Sequence, residues 1–159
     1  YNKGGADPQG HPDLGGLSVP DASKTLLIVE DDAIQREGLS AILQQEGYSV
    51  VSAANAKEAI ARLQGQSTPD VMLLDMMMSE GDGWQLLWML RRSPALASIP
   101  VIIMTGLQIA SQEWGQSLGA VGLVRKPIDP ALLLKELARV LGTGLVRFPV
   151  PDPAKTEPS

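Results

Sequence analysis

No cysteine occurs anywhere in the 159 residues of this chain. Disulfide scaffolds, thiolate metal sites and cysteine nucleophiles are therefore excluded. Aromatic residues make up only 4%, so any core has to be built from aliphatic side chains. The one histidine, His11, falls in a Gly- and Pro-rich stretch and reads as a solvated side chain. No apolar run approaches the ~20 residues that a membrane-spanning helix needs. Positive charge is scarce as well. Thirteen Lys and Arg stand against 18 Asp and Glu, a formal net charge of −5. That argues against nucleic acid as a partner, because phosphate contacts need clustered Lys and Arg. The chain begins with Tyr1 rather than Met, so the lack of a signal peptide excludes no compartment.

What is present is globular in character: 44% hydrophobic and 19% charged, with length for one domain rather than two. Residues 1–23 are rich in Gly, Pro and Asp and read as a linker or tail. Residues 143–159 are Pro-rich and read as a second tail. Between them, over 24–142, short aliphatic runs alternate with helical patterns. The runs are Leu26–Val29, "YSVVSA", "VMLLD", "VIIMT" and "VGLV". The helical segments carry end signals. Asn55 and Glu58 are spaced as a capping pair. Asp82 is expected to cap "DGWQLLWMLRR", with Leu86, Leu87 and Leu90 on its core stripe and Pro94 beyond its end. "SQEWGQSLG" is a weak helix broken by Gly115. Asp129, Pro130 and Gly142 bracket the clearest helix. Five βα units imply an α/β fold: a doubly wound parallel sheet with helices on both faces.

Such sheets bind ligands at the carboxyl ends of their strands. Here those ends carry Glu30, Asp31 and Asp32; Asp75; Thr105; and Lys126. Carboxylates, a hydroxyl and an ammonium should therefore meet in one crevice. The carboxylates suit a hard divalent cation such as Mg²⁺. Thr105 and Lys126 suit an anionic substrate. Asp75 is flanked by apolar Leu74 and Met76 and has no adjoining acid, which suits a nucleophile that accepts a phosphoryl group.

With these residues in view, the chain resembles the receiver domain of two-component response regulators over about residues 24–142. The likeness rests on "LLIVEDD", "DVMLLDMMMSEGDG", "VIIMTG" and "LVRKP". It implies the flavodoxin-like (CheY-like) fold, with five strands in the order 2-1-3-4-5. It implies phosphorylation of Asp75 by a histidine kinase or histidine phosphotransferase, in a cytoplasmic phosphorelay, with the domain catalysing its own phosphorylation and dephosphorylation. By the same likeness Glu30, Asp31, Asp75 and the carbonyl of Met77 hold Mg²⁺, and Thr105 and Lys126 bind the phosphoryl oxygens. The bond before Pro127 should be cis. Two alternatives stay open: a pseudo-receiver that only binds protein, and a receiver segment of a hybrid histidine kinase.

Three positions depart from the family pattern. Ser79 stands where a proline is usual, and Met77 replaces a commoner polar residue. Leu123 stands where Tyr or Phe usually changes rotamer, so activation should rest on Thr105 and the loop that follows it. The resemblance also makes Met77 and Leu107 two apolar gates on the hydrolytic water. Asp32 reads as a helix-terminal acid with no metal contact. Met76, Met77 and Met78 read as loop packing, because thioethers are soft ligands. Trp88 falls off the core stripe of its helix. It is either an ordinary exposed residue or part of a docking or homodimer patch.

Overall fold

The structure is a computed structural model that describes residues 24–65 and 68–142. The expected tails at 1–23 and 143–159, with His11, lie outside the described residues. The elements alternate as β1 (Thr25–Val29), α1 (Ala33–Gln45), β2 (Ser49–Ala53), α2 (Ala56–Gly65), β3 (Val71–Asp75), α3 (Asp82–Arg92), β4 (Val101–Thr105), α4 (Gln112–Ser117), β5 (Gly122–Arg125) and α5 (Pro130–Leu141). A short 3₁₀ turn, Ser79–Gly81, precedes α3. The five strands form one sheet in the order β2-β1-β3-β4-β5, every pair parallel.

The strand sequences explain the two covered faces. Side chains alternate across a strand, and both sets are apolar here. Leu27, Val29, Met72, Leu74, Val101 and Ile103 join Leu86, Leu87 and Leu90 of α3 and Ala59 and Leu63 of α2 in one core. Leu26, Ile28, Val71, Leu73, Ile102 and Met104 join Leu39 and Leu43 of α1 and Leu133 and Leu137 of α5 in the other. A strand buried on both sides can afford no polar alternation, and β3 and β4 are buried along their whole length. Among the described residues no helix is long and apolar enough to cross a membrane.

The helix ends follow the sequence with one exception. Asn55 Oδ1 accepts from Glu58 N–H at 2.8 Å, and Glu58 Oε2 accepts from Ala54 N–H at 2.8 Å. Asp129 Oδ1 accepts from Ala131 N–H at 2.9 Å, with Pro130 in the first turn. Asp32 Oδ1 caps α1 through Gln35 N–H at 2.9 Å. Asp82, however, does not cap α3. It is the first helical residue, Gly81 occupies the cap position with φ 71°, and the carboxylate of Asp82 accepts from Ala56 N–H at 3.1 Å. Its acid is spent on the neighbouring helix α2, a tertiary bond that local spacing cannot reveal. Met76 and Met78 pack in the interior as expected, but Met77 is 55% exposed.

Gly83 fixes how closely α3 approaches the end of β3. A Cβ there would lie 2.5 Å from the carbonyl oxygen of Asp75 and 2.8 Å from the Cα of Met76. Both are backbone atoms that cannot swing aside. Gly38, in α1, faces open space. We expect Gly83→Ala to lower stability by about 1–3 kcal/mol and Gly38→Ala to raise it by up to about 1 kcal/mol. Urea unfolding of the two variants measures both; equal effects would contradict the close-approach argument.

Candidate functional site

Parallel strands deliver their carboxyl ends to one edge, and the backbone ladder continues past each end. Glu30 N–H donates to Ala53 O at 3.1 Å, Met76 N–H to Met104 O at 3.2 Å, and Lys126 N–H to Thr105 O at 2.8 Å. The residues just beyond β1, β3 and β5 are thereby held as firmly as the strands themselves. Glu30 and Asp75 are each 2% exposed and Thr105 is fully buried. Asp31 lies exposed at the rim.

Lys126 joins two of the acids. Its Nζ lies 2.8 Å from Glu30 Oε2 and 3.1 Å from Asp75 Oδ2. Two like charges about 4 Å apart repel by roughly 4 kcal/mol at an effective dielectric of about 20, so an ammonium between them is what makes the gathering of carboxylates tolerable. The second oxygen of Asp75, Oδ1, accepts from Met77 N–H at 2.9 Å. Asp31 Oδ2 accepts from both N–H and Oγ of Ser79, each at 3.1 Å. The Arg36 guanidinium donates to the carbonyls of Glu30 at 2.9 Å and Asp31 at 3.4 Å. Among the described residues, no buried side-chain nitrogen or oxygen is left unpartnered.

The charges respond to these surroundings. Burial pushes the Glu30 carboxyl above its ordinary value of 4.5; Asp75 adds to that rise and Lys126 opposes it. Burial lowers the affinity of Lys126 for its proton, but Glu30 and Asp75 together outweigh it, and the net shift is upward. Burial likewise favours the neutral form of Asp31, yet the two hydrogen bonds from Ser79, with backbone N–H groups at Asp31 and Asp32, prevail and hold its carboxyl below the ordinary value.

Of the residues singled out in the sequence, Glu30, Asp31, Asp75 and Lys126 are brought together. One carboxylate oxygen from each of Glu30, Asp31 and Asp75 lies within 4.8 Å of the others. This all-oxygen, anionic donor set suits a hard divalent cation. Thr105 shares the edge, but its hydroxyl accepts from Leu107 N–H at 3.1 Å instead of meeting the carboxylates. Leu107 itself packs partly against the core. Of the two expected apolar gates, only Met77 is exposed at the rim. Leu123 is buried in the same core. The Lys126–Pro127 bond is cis. Asp32 serves as the cap of α1. Trp88 is 60% exposed, with the Arg92 guanidinium 4.4 Å above its ring. The contact of Ser79 with Asp31 carries no local signal in the sequence, because it depends on two loops brought together by the sheet, and Arg36 reaches back from α1 to the loop just before it.

An open five-stranded sheet of order 2-1-3-4-5, with an acidic cluster and a lysine at its carboxyl edge, defines a CheY-like receiver architecture. The chain belongs to the response regulator receiver domain family, whose model matches residues 26–138. It is 36% identical over 117 residues to protein PilH of Pseudomonas aeruginosa, covering 73% of this chain and 96% of that protein. It is 34% identical over 119 residues to the phosphate regulon transcriptional regulatory protein PhoB of the same organism, covering 74% of this chain. That match takes in only 52% of PhoB, about half its length. Among solved structures, the chemotaxis response regulator CheY4 of Vibrio cholerae superposes with a TM-score of 0.66 at 33% identity, covering 74% of this chain and 98% of that one. A receiver domain of a histidine kinase from Syntrophus aciditrophicus gives 0.65 at 33% identity, covering 75% and 90%.

The raised Glu30 titration has a consequence for stability. Between the ordinary glutamate value and the folded value, the folded chain keeps a proton that the unfolded chain has lost. Stability from this group is therefore full below pH 4.5 and falls as pH rises through the folded value. Glu30→Gln should remove that downward slope without inverting it. Urea unfolding of wild type and variant at a series of pH values from acid to neutral decides; parallel curves would refute the assignment.

Proposed function

We propose that this receiver domain accepts a phosphoryl group on Asp75 from the phosphohistidine of a histidine kinase or histidine phosphotransferase. The observation that carries this reading is the meeting of buried Asp75 with Lys126, buried Glu30 and rim-exposed Asp31 in one crevice. A carboxylate oxygen of Asp75 attacks phosphorus, the P–O bond forms, the P–N bond breaks, and the released imidazole takes up a proton. Lys126 neutralises charge on the transferring oxygens, and the Thr105 hydroxyl turns from Leu107 to bind one of them. Positioning and charge neutralisation are most of what a protein contributes to phosphoryl transfer. Glu30, Asp31, Asp75 and the Met77 carbonyl would hold Mg²⁺, which supplies further positive charge to the transferring group when bound. Met77 N–H and the Ser79 donors keep Asp75 and Asp31 oriented for these tasks.

The same reading assigns the domain to 24–142, with 1–23 and 143–159 as flanking segments, in a cytoplasmic two-component pathway. The exposed Trp88 is the surface at which a partner or a second copy would be sought first, and the acidic charge balance speaks against nucleic acid.

Incubation with acetyl phosphate and Mg²⁺ should add one phosphoryl group by intact-mass spectrometry, and Asp75→Asn should add none. Millimolar Mg²⁺ should raise the melting temperature by mass action, and Asp31→Ala should abolish that rise. Phosphorylation of the Asp75→Asn chain at the wild-type level would end the proposal.

Hydrolysis of the phosphoryl group needs a water placed in line with the Asp75 oxygen. Exposed Met77 offers that water no hydrogen bond. We expect Met77→Asn to speed the decay of phosphorylated protein several-fold, a tenfold change corresponding to about 1.4 kcal/mol of barrier. Decay is followed in excess Mg²⁺ after removal of the donor. An unchanged lifetime would rule out Met77 as a gate.

A further inference from the structure

Leu107, in the loop between β4 and α4, is held through both of its backbone polar groups. Its N–H donates to Thr105 Oγ1 at 3.1 Å. Its carbonyl accepts from the Arg125 guanidinium at 3.3 Å. The same guanidinium donates to the carbonyl of Gln108 at 3.0 Å and to that of Ala110. Three carbonyls of one loop thus converge on one side chain at the end of β5. A planar fork with five donors suits this task, and an ammonium does not. Gln112 adds a further tie, its Nε2 donating to Leu123 O at 3.1 Å. The loop is pinned with Ala110 buried and Ile109 88% exposed.

Under the proposed function, the Thr105 hydroxyl has to leave Leu107 N–H to reach a phosphoryl group on Asp75. Leu107 cannot readily follow or yield while its carbonyl is held from β5. Leu123, where the family carries an aromatic, is an aliphatic side chain buried in the core and has no polar group to take part. We propose that Arg125 is the positioning residue that sets the cost of activation in this chain. By holding the β4–α4 loop through three carbonyls, it stabilises the arrangement in which Leu107 engages Thr105, and so restrains Thr105 from turning toward Asp75. Bonds made fully in one state and weakened in the other bias the equilibrium toward the first. The inference rests on the phosphoacceptor reading of Asp75 and Thr105.

Charge alone makes the opposite prediction. Arg125 adjoins Lys126, and removing a cation beside an anion-binding site should weaken anion binding. Loss of the clamp should instead tighten it. The probe is beryllofluoride with Mg²⁺, a non-covalent stand-in for the phosphoryl group. The readout is tryptophan fluorescence: Trp114 of α4 meets Trp84 of α3 edge to face at 5.7 Å between centroids, so a displaced α4 alters that contact. A Trp88→Phe background removes the third tryptophan of the chain. Arg125→Ala and Arg125→Lys should both half-saturate at roughly tenfold lower beryllofluoride than the parent, within the usual range of coupling between sites. Both should also exchange the Leu107 amide hydrogen faster with no ligand added. Arg125→Lys keeps the charge and loses the fork; if Arg125→Ala fails to fold, Arg125→Lys decides by itself. Half-saturation that is unchanged or higher in Arg125→Lys overturns the proposal, as does unchanged exchange at Leu107. A parent that responds while the variants stay unmoved defeats the clamp alone. A parent that gives no response to beryllofluoride and Mg²⁺ defeats the phosphoacceptor reading and the clamp with it.

Discussion

The ammonium of Lys126, 2.8 Å from Glu30 and 3.1 Å from Asp75, is the contact on which the carboxyl edge of this sheet depends. A parallel sheet buried on both faces has little choice about where its strands end. β1 and β3 are neighbours, so the acids that follow them are brought side by side in a place poor in water. Without a cation they would repel, and one would hold a proton. With one, both remain close enough to serve a common ligand. Removing one member of a buried charged group leaves the rest uncompensated, at a typical cost of about 3–5 kcal/mol. Site and fold are in this sense one structure.

The loops around the edge are held less by their own sequence than by each other. Ser79 reaches Asp31 across 48 positions. Asp82, at the start of α3, caps α2. Arg36 of α1 gathers the carbonyls just beyond β1. Arg125 gathers those just beyond β4. All but those of Arg36 tie a loop or helix end to a part of the chain well away in sequence. A donor or acceptor fixed in this way keeps its aim when the neighbouring loop moves.

Two departures from the usual receiver pattern acquire structural content. A proline at position 79 would have no N–H and no hydroxyl, whereas Ser79 gives both to Asp31 and contributes to holding its carboxyl below the ordinary value. An aromatic at position 123 would bring a large ring beside the β4–α4 loop. Leu123 is instead absorbed into the core, and polar ties from β5 and α4 hold the loop.

The sequence by itself determined the alternation of strands and helices, because apolar runs too short for helices and end signals such as Asn55, Glu58, Asp129 and Pro130 act over a few residues. It also determined which side chains arrive at the carboxyl edge, because Glu30, Asp31, Asp75, Thr105 and Lys126 each follow or end a strand whose direction is common to all. Only the tertiary structure decided whom they meet. Lys126 pairs with Glu30, 96 positions away. Thr105 turns to Leu107 and not to Asp75. Asp82 serves α2 in place of its own helix. Leu107 faces the core, while Met77 faces solvent. The physical reason is one of range. Propensity, capping and period are set by near neighbours along the chain, but the partner of a polar side chain is set by which loops the packed sheet brings within about 3 Å of it, and no local pattern records that.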